Sequence, residues 1–364
     1  MASGCSDDAM EEVRTIQNRA SFINAISTAV PDHDMHQTFI GWAEGRLPDE
    51  RRRSVFRRMA EWSGIAHRWS VLPPAAQGAL YSKSSPPTSD RMRIYAEAAP
   101  ALALAAIDKL ERRSVARATH LVVASCTGFV APGVDQIIAR RLGLDAGVER
   151  TLIGFMGCYA AIAALRTAYH IVRSEPGARV LVVTVELSTL HLQFSDDVEA
   201  LLAMLQFGDG AAAALVSAEP TGFGMARPFA VAMPDSDALI QWAIGDTGFT
   251  MLLSGEVPGR IAKALADPGV RAQVLGQAAP EKFDSWAVHA GGRSILDAVQ
   301  RAFDLPHGAL DRSRDVLLRY GNMSSSTLMF VLASLFGRPE HRRGIALAFG
   351  PGLAAEGFQF ERAS

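Results

Sequence analysis

Hydrophobic residues fall into short runs that predict alternating strands and helices. Apolar runs at Leu121–Ser125, Val180–Val185 and Ala211–Ser217 predict buried strands, and Val134–Leu142 and Asp197–Leu205 predict helices between them. Strands that are apolar throughout are typical of a sheet covered on both faces. The pattern therefore predicts an α/β protein.

The same alternation returns beyond Pro220–Pro228, which we interpret as a joint. Val257–Ala266 predicts a helix, Ser285–His289 a strand, and Gly344–Phe349 a strand that closes the second half as Gly210–Ser217 closes the first. This is a weak internal repeat. We therefore predict an arm at residues 1–20 and two halves at 21–220 and 221–364.

The chain before residue 120 predicts mostly helices. The apolar run Phe22–Val30 predicts a first strand, which Pro31 ends. The predicted helices are Met35–Arg46, Asp49–Ser63 and Asp90–Arg113, the last interrupted or kinked near Pro100. Prolines at 73–74 and 86–87 indicate a loop.

Composition narrows the class of protein. The 364 residues are 49% hydrophobic and 20% charged, which is typical of a globular chain, and a net charge of −2 argues against nucleic acid as the main partner. Three cysteines without a CxxC spacing predict neither a disulfide framework nor a metal site. Because no apolar run approaches the roughly 20 residues of a membrane span, we expect a soluble cytoplasmic protein.

One cysteine stands where a nucleophile could be mounted. Cys158 lies within Gly154–Ala161 and directly before the alanine-rich run Ala160–Ala168, which predicts a helix. The positive end of a helix dipole favours a thiolate, and small neighbours leave room for an acyl group. The alternative is a small core residue at a helix start.

Two polar residues at glycine turns are candidate partners for this thiol. His289 ends a predicted strand and runs into Ala290-Gly291-Gly292, and Asn322 follows Gly321 before a helix that opens near Ser324. A base and hydrogen-bond donors are what thioester chemistry requires. A structural histidine and a turn or N-cap asparagine are the alternatives, so the pattern alone leaves both interpretations open.

Five motifs, in order, resemble a known family. They are Gly154–Ala161, Phe207–Gly210, Val288–Gly292, Tyr320–Ser325 and Phe349–Leu353. Together they resemble the type III polyketide synthases of the chalcone and stilbene synthase-like superfamily. The resemblance extends from about residue 20 to the end, and the sequence is most similar to bacterial alkylpyrone and alkylresorcinol synthases.

The resemblance implies a thiolase-like αβαβα fold of five layers, built from two similar halves, in a homodimer. It implies acyl-CoA and malonyl-CoA as substrates and no further cofactor. Cys158 would carry the growing chain and pair with His289 as thiolate and imidazolium. His289 and Asn322 would then hold the thioester carbonyl during decarboxylation, and Phe207 would be the gatekeeper beside them.

The resemblance also assigns the walls of the site. The implied cavity positions are Cys126, Thr127, Ser188, Leu190, His191, Trp242, Met251 and Ser324. Trp242 would fill space in which a tetraketide could cyclise, and the flexible Met251 suits an alkyl chain. Trp242 packed in the core, and His191 as a structural residue instead of a donor to the polyketide, remain alternatives.

The family's basic contacts to coenzyme A are only partly present. Arg58 matches one of three basic positions on an early helix, whereas Val55 and Trp62 occupy the other two. Arg57 or Arg53 could substitute. Gly291 and Ser294 are further expected coenzyme A contacts. Ala131 stands where the family reaches across its dimer and is too small to shape the partner's cavity.

The sequence thus predicts decarboxylative condensation of malonyl-CoA onto a fatty acyl-CoA starter, followed by closure to an alkylpyrone or alkylresorcinol. One alternative is a tetrahydroxynaphthalene-type synthase that starts from malonyl-CoA, since Cys126 recurs there. Others are an initiating ketoacyl synthase that uses an acyl carrier protein, and a silent relative that only binds acyl-CoA.

Overall fold

The chain forms an α/β structure in the computed structural model, which describes residues 20–73 and 85–363. The strands are β1 Ser21–Ala29, β2 His33–Asp34, β3 Trp69–Ser70, β4 His120–Ser125, β5 Glu149–Gly154, β6 Val180–Leu187, β7 Asp209–Ser217, β8 Phe223–Ala232, β9 Ile240–Gly245, β10 Gly248–Leu253, β11 Ser285–Val288, β12 Arg343–Gly350 and β13 Ala354–Arg362.

The helices lie before, between and after these strands. They are α1 His36–Arg46, α2 Glu50–Trp62, α3 Thr88–Ile107, α4 Arg112–Val115, α5 Val134–Leu142, α6 Ala160–Ser174, α7 Val198–Met204, α8 Val257–Ala266, α9 Pro268–Leu275, α10 Arg293–Ala302, α11 Asp311–Tyr320 and α12 Ser326–Phe336. Short 3-10 turns lie at Ser188–His191, Pro280–Lys282 and Pro351–Leu353.

Nine strands form one mixed sheet with two similar portions. Its order is β11-β12-β13-β8-β1-β7-β6-β4-β5. β4 runs parallel to β5 and β6, and β11 runs parallel to β12, whereas the other neighbours are antiparallel. A short ladder of Ser21–Ile23 against Phe223–Met225 joins the two portions. The hairpin β9–β10 and the pair β2–β3 stand apart from this sheet.

Three apolar cores lie between the helices and the two sheet portions. The first packs α3 and α5 against β4, β6 and β7. The second surrounds α6 and α12, which lie between the two portions. The third packs α8, α10 and α11 against β11 and β12. This succession of helices, sheet, helices, sheet and helices is the predicted five-layered thiolase-like arrangement.

Most predicted elements are present, with ends that shift by a few residues. The helices Val134–Leu142 and Val257–Ala266 agree with the prediction at both ends. The helix predicted as Asp90–Arg113 continues through Pro100 and ends at Ile107, and the separate short helix α4 follows at Arg112–Val115. The predicted arm at residues 1–20 lies outside the described residues except for its last residue.

Several strands were missed because their sequences lack a long apolar run. β5 is an exposed strand of sequence ERTLIG. The segment predicted as a joint, residues 220–228, contains the start of β8, which begins at Phe223 in the middle of the sheet. Pro228 is accommodated there by a register shift between Gly357 and Gln359 on β13 and by a positive φ at Arg227. β13 follows β12, so the second half does not close on the strand that we predicted.

The division of the chain into two halves between residues 220 and 221 stays a prediction.

No helix in the described ranges is both long enough and apolar enough to cross a membrane.

Candidate active site

Cys158 lies in the tight turn between β5 and helix α6, as its sequence context predicted. Gly157 before it has a φ of +79°, and a Cβ built there would meet Pro351 Cδ at 2.3 Å. Only glycine therefore fits at this position. The thiol of Cys158 is buried at the amino end of α6, which begins at Ala160.

Burial keeps the thiol protonated in this geometry. It raises the pKa of Cys158 to about 11, and the nearby Glu186 acts in the same direction. Ser324 Oγ donates to Cys158 Sγ at 3.7 Å, and hydrogen bonding by Ser324 and Asn322 opposes the rise in pKa. The thiolate expected from the helix dipole is thus not favoured by the surroundings of the sulfur.

His289 faces the same site from the other sheet portion. Its backbone N–H donates to Leu347 O at 2.8 Å and extends β11 by one residue before the turn at Ala290–Gly292. Its side chain is buried, and neither ring nitrogen has a hydrogen-bond partner among the described residues. Burial lowers the pKa of His289 to about 3, so the imidazole is neutral. The expected thiolate–imidazolium pair is therefore not preformed.

Asn322 is fixed by a short bridge to the segment around Phe207. Its N–H donates to Gln206 O at 2.8 Å, and its carbonyl accepts from Gly208 N at 3.0 Å. Its side-chain Nδ2 donates to Gly291 O at 3.3 Å, and its Oδ1 accepts from Ser324 N at 2.8 Å. Three motifs far apart in sequence thus meet at one point.

The three candidate catalytic residues line one cavity of about 450 Å³. Its wall also contains Phe207, Met251, Gly291 and Ser294, four other residues that the resemblance assigned to substrate or coenzyme A. The lining is mainly apolar, which is typical of a site that excludes water around an acyl chain. A thiol, an imidazole and an amide facing such a space can supply a nucleophile, a base and hydrogen-bond donors for an oxyanion.

Seven expected cavity residues are not among those that line this space, and their assignment to the reaction cavity stays a prediction. They are Cys126, Thr127, Ser188, Leu190, His191, Trp242 and Ser324. Aromatic rings fill the region that they surround. His191 stacks on Phe249 at a centroid distance of 4.0 Å, and Trp242 packs edge-on against both rings. Trp242 Nε1 also donates to Cys126 O at 2.9 Å.

His191 is a structural residue in this arrangement. The distance from its Nε2 to Thr127 O is 2.6 Å, and its Nδ1 accepts from Phe249 N at 3.0 Å. Because Phe249 N–H can only donate, the Nε2 nitrogen carries the proton. Burial lowers the pKa of His191 to about 4. Both nitrogens are used, so the structural alternative is favoured over a donor to the polyketide.

Two buried charged residues beneath the site were missed. Glu186 accepts from Cys126 N and Thr127 Oγ1, each at 2.9 Å, and burial raises its pKa to about 7. Arg68 Nη1 donates to Phe207 O at 2.7 Å, and its side chain closes on Gly321, where a Cβ would meet Arg68 Cγ at 2.8 Å. A lone acid in the apolar strand β6 was the available signal for Glu186.

The basic helix α2 reaches the mouth of the cavity through Met59 and Trp62. Arg57 pairs with Glu44 at 3.1 Å and Arg53 with Glu50 at 3.6 Å. Arg58 has no ion pair within the part of the chain that the structure describes. Arg58 therefore stays the candidate for a phosphate contact, and the two suggested substitutes are already engaged.

Comparison with known proteins identifies the relatives of this chain. The family model of the N-terminal domain of chalcone and stilbene synthases matches residues 10–220, and the model of the C-terminal domain matches residues 228–362. The alpha-pyrone synthesis polyketide synthase-like Pks18 of Mycobacterium tuberculosis is 32% identical over 360 residues, which cover 93% of this chain and 90% of the relative. Curcumin synthase 1 of Curcuma longa is 33% identical over 374 residues, covering 92% and 93%.

Solved structures agree with these matches. PKS-I from the brown alga Ectocarpus siliculosus superposes with a TM-score of 0.83 at 31% identity and covers 94% of this chain and 98% of its own. The C-terminal type III polyketide synthase domain of Steely1 from Dictyostelium has a TM-score of 0.86 at 25% identity, with coverage of 95% and 100%.

Proposed function

Because the chain belongs to the chalcone and stilbene synthase family of type III polyketide synthases, we propose that it loads a fatty acyl group onto Cys158 and extends it with malonyl-CoA. The observation that carries this proposal is the convergence of Cys158, His289 and Asn322 on one cavity beside Phe207. Each residue occupies a place that the proposed chemistry requires.

The first step is transfer of the acyl group from coenzyme A to Cys158. His289 can act as the general base. Its neutral imidazole can accept the thiol proton as the sulfur of Cys158 attacks the thioester carbonyl. The C–S bond to coenzyme A breaks, and the proton leaves with the coenzyme A thiol. A neutral resting pair therefore supports proton transfer during loading.

The second step is decarboxylation and condensation. Loss of carbon dioxide from malonyl-CoA leaves an enolate, whose oxygen needs donors. Asn322 Nδ2 and the ring N–H of His289 suit this role, since both side chains belong to residues that line the cavity. The enolate carbon then attacks the acyl carbonyl on Cys158, a C–C bond forms, and the C–S bond to Cys158 breaks to release the sulfur as a thiolate. The apolar ring of Phe207 disfavours the malonyl carboxylate and so promotes its loss.

An alkylpyrone is the product that the walls support best. Met251, Leu253 and Ile240 give the cavity an apolar side that suits an alkyl chain. The ring cluster of Trp242, His191 and Phe249 occupies the neighbouring space, which disfavours aldol closure to a resorcinol. The relative from Mycobacterium tuberculosis, by its name, acts in alpha-pyrone synthesis.

A series of acyl-CoA starters from two to eighteen carbons, each with malonyl-CoA, tests this function by mass spectrometry of the products. We expect alkylpyrones from the long starters. Cys158→Ala should form no product yet bind starter-CoA as the wild-type enzyme does. Turnover by Cys158→Ala would contradict the mechanism, and product from malonyl-CoA alone in preference to fatty starters would favour the tetrahydroxynaphthalene-type alternative.

The outer edge of the sheet supports a homodimer. β5 lies at the end of the sheet, and its backbone groups on one side have no neighbouring strand among the described residues. Leu152 on this strand and Phe129 beside it are each 47% exposed. An exposed edge strand with apolar side chains is a natural pairing surface. We therefore propose that a second copy of the chain covers β5 through a twofold interface.

A further inference from the structure

An exposed tryptophan stands at the mouth of the cavity. Trp62 is the last residue of the polar helix α2, and 44% of it is accessible to solvent. Its indole contributes to the cavity wall together with Met59, three residues earlier on the same face of the helix. The most exposed aromatic side chain of this rim thus faces the path that a substrate must take to Cys158.

Arg293 holds this indole in place. The guanidinium carbon of Arg293 lies 5.1 Å from the centre of the Trp62 ring, and Arg293 Nη1 donates to Trp62 O at 3.4 Å. This is a cation–π contact supported by a hydrogen bond. Arg293 is also the first residue of α10 and lines the same cavity. The arginine covers one side of the ring and fixes its plane.

Trp62, Met59 and Arg293 together form a surface that suits a planar, phosphorylated ligand. A fixed indole offers a flat apolar surface, the Met59 thioether beside it is polarisable, and the guanidinium adds positive charge next to the ring. Planar heteroaromatic bases stack on such surfaces. Phosphates attached to the base would meet Arg293, because guanidinium groups bind phosphates well. Arg58, four residues before Trp62 on α2 and without an ion pair among the described residues, is a second candidate for a phosphate contact. The rim therefore fits a phosphorylated adenosine.

We propose that Trp62, oriented by Arg293, is the stacking surface for the adenine ring of the coenzyme A substrates. This inference rests on the proposed function, in which coenzyme A thioesters enter this cavity. It also explains the departure at residue 62, where the resemblance led us to expect a basic side chain. Recognition of the nucleotide by stacking takes the place of one charge contact.

The test distinguishes binding of the nucleotide part of coenzyme A from binding of the acyl group and the pantetheine arm. Trp62→Ala and Trp62→Phe are compared with wild-type enzyme on malonyl-CoA and on malonyl-pantetheine, which carries the same acyl group and arm without the nucleotide. We expect Trp62→Ala to raise the KM for malonyl-CoA about tenfold, the size of one lost base-stacking contact, with kcat unchanged. The KM for malonyl-pantetheine should change less than twofold, and Trp62→Phe should restore most of the affinity.

Direct binding gives a second, turnover-free readout. Calorimetry should show Trp62→Ala weakening the affinity for coenzyme A about tenfold while leaving the affinity for pantetheine unchanged. Leu318→Ala is the matched control, since Leu318 is 45% exposed on α11 and lies outside the cavity wall. It should change neither ligand's affinity.

The outcomes are distinguishable. Equal losses for coenzyme A and pantetheine, or no loss for either, would overturn the stacking role of Trp62. If the wild-type enzyme made no polyketide from any starter but Trp62→Ala still lost affinity for coenzyme A alone, the proposed function would fail and the stacking assignment would stand.

Discussion

Replacing Trp242 by glycine should enlarge the reaction space and change the product. The indole is half-buried, donates to Cys126 O, and packs edge-on against His191 and Phe249 at centroid distances of 5.6 and 5.7 Å. Removing it should open the ring-filled region next to the present cavity of about 450 Å³. A folded tetraketide that is excluded by the ring would then gain room to close.

The cost in stability is moderate. Half-burial of an indole corresponds to roughly 100 Å², or about 2.5 kcal/mol. The lost hydrogen bond adds about 1 kcal/mol, and glycine within strand β9 adds about 0.5–1 kcal/mol. A total near 4 kcal/mol is within the usual stability of a folded domain, which is about 5–15 kcal/mol. The variant should therefore fold, with a lower melting temperature that circular dichroism will show.

The assay is the product distribution from one fatty starter and malonyl-CoA, measured by mass spectrometry. Relief of a steric overlap of ~1–3 kcal/mol predicts that longer or aldol-closed products rise by about fivefold to 150-fold relative to the wild-type pyrone. Trp242→Phe is the control, since it loses the hydrogen bond to Cys126 but keeps most of the ring. A folded Trp242→Gly enzyme with an unchanged product distribution would refute the view that this ring limits the cavity.

Two further predictions concern assembly and acid stability. Leu152→Arg at the β5 edge should convert a dimer into a monomer on light scattering, whereas Leu318→Arg at a similarly exposed site should not; a dimeric Leu152→Arg protein would argue against this interface. The lowered pKa of His191, about 4 against 6.5 when unfolded, means that the unfolded chain binds the additional proton between these values. Stability is therefore retained above pH 6.5 and falls as the pH decreases toward 4, by about 2 kcal/mol from this residue at pH 5. Thermal melts at pH 7 and pH 5 should show a smaller acid loss for His191→Gln, and an identical loss would contradict the assignment of a neutral His191.

The alternation of apolar runs was sufficient to predict an α/β protein with a sheet covered on both faces, whereas the five-layered arrangement was implied by the family resemblance. Buried strands such as β4 and β6 are apolar along their whole length, so the period of the sequence reports their environment directly. β5 carries no such signal, because its side chains face the surface in a single copy of the chain. The hairpin β9–β10 is also mostly exposed. Exposed strands are therefore among those that periodicity misses, and β13, which is mostly buried, was missed because polar residues interrupt its apolar run.

The protonation state of Cys158 and the shape of the cavity wall could not be predicted from the sequence, because both depend on contacts between residues that are distant in the chain. The helix dipole at Cys158 is a local property and could be read from its neighbours, but burial acts on the same thiol in the opposite direction. Two residues far from Cys158 in the chain also act on its pKa: the charge of Glu186 raises it, and the hydrogen bond from Ser324 lowers it. Likewise the motifs identify Trp242 and His191 as neighbours of the site, whereas contacts with Cys126 O, Thr127 O and Phe249 decide that their rings fill space instead of lining it. A motif thus determines which groups meet, and long-range packing determines their charge and the volume of the space between them. The product of this enzyme depends on that volume. Trp242 is therefore a sharper test of product specificity than Cys158, His289 or Asn322.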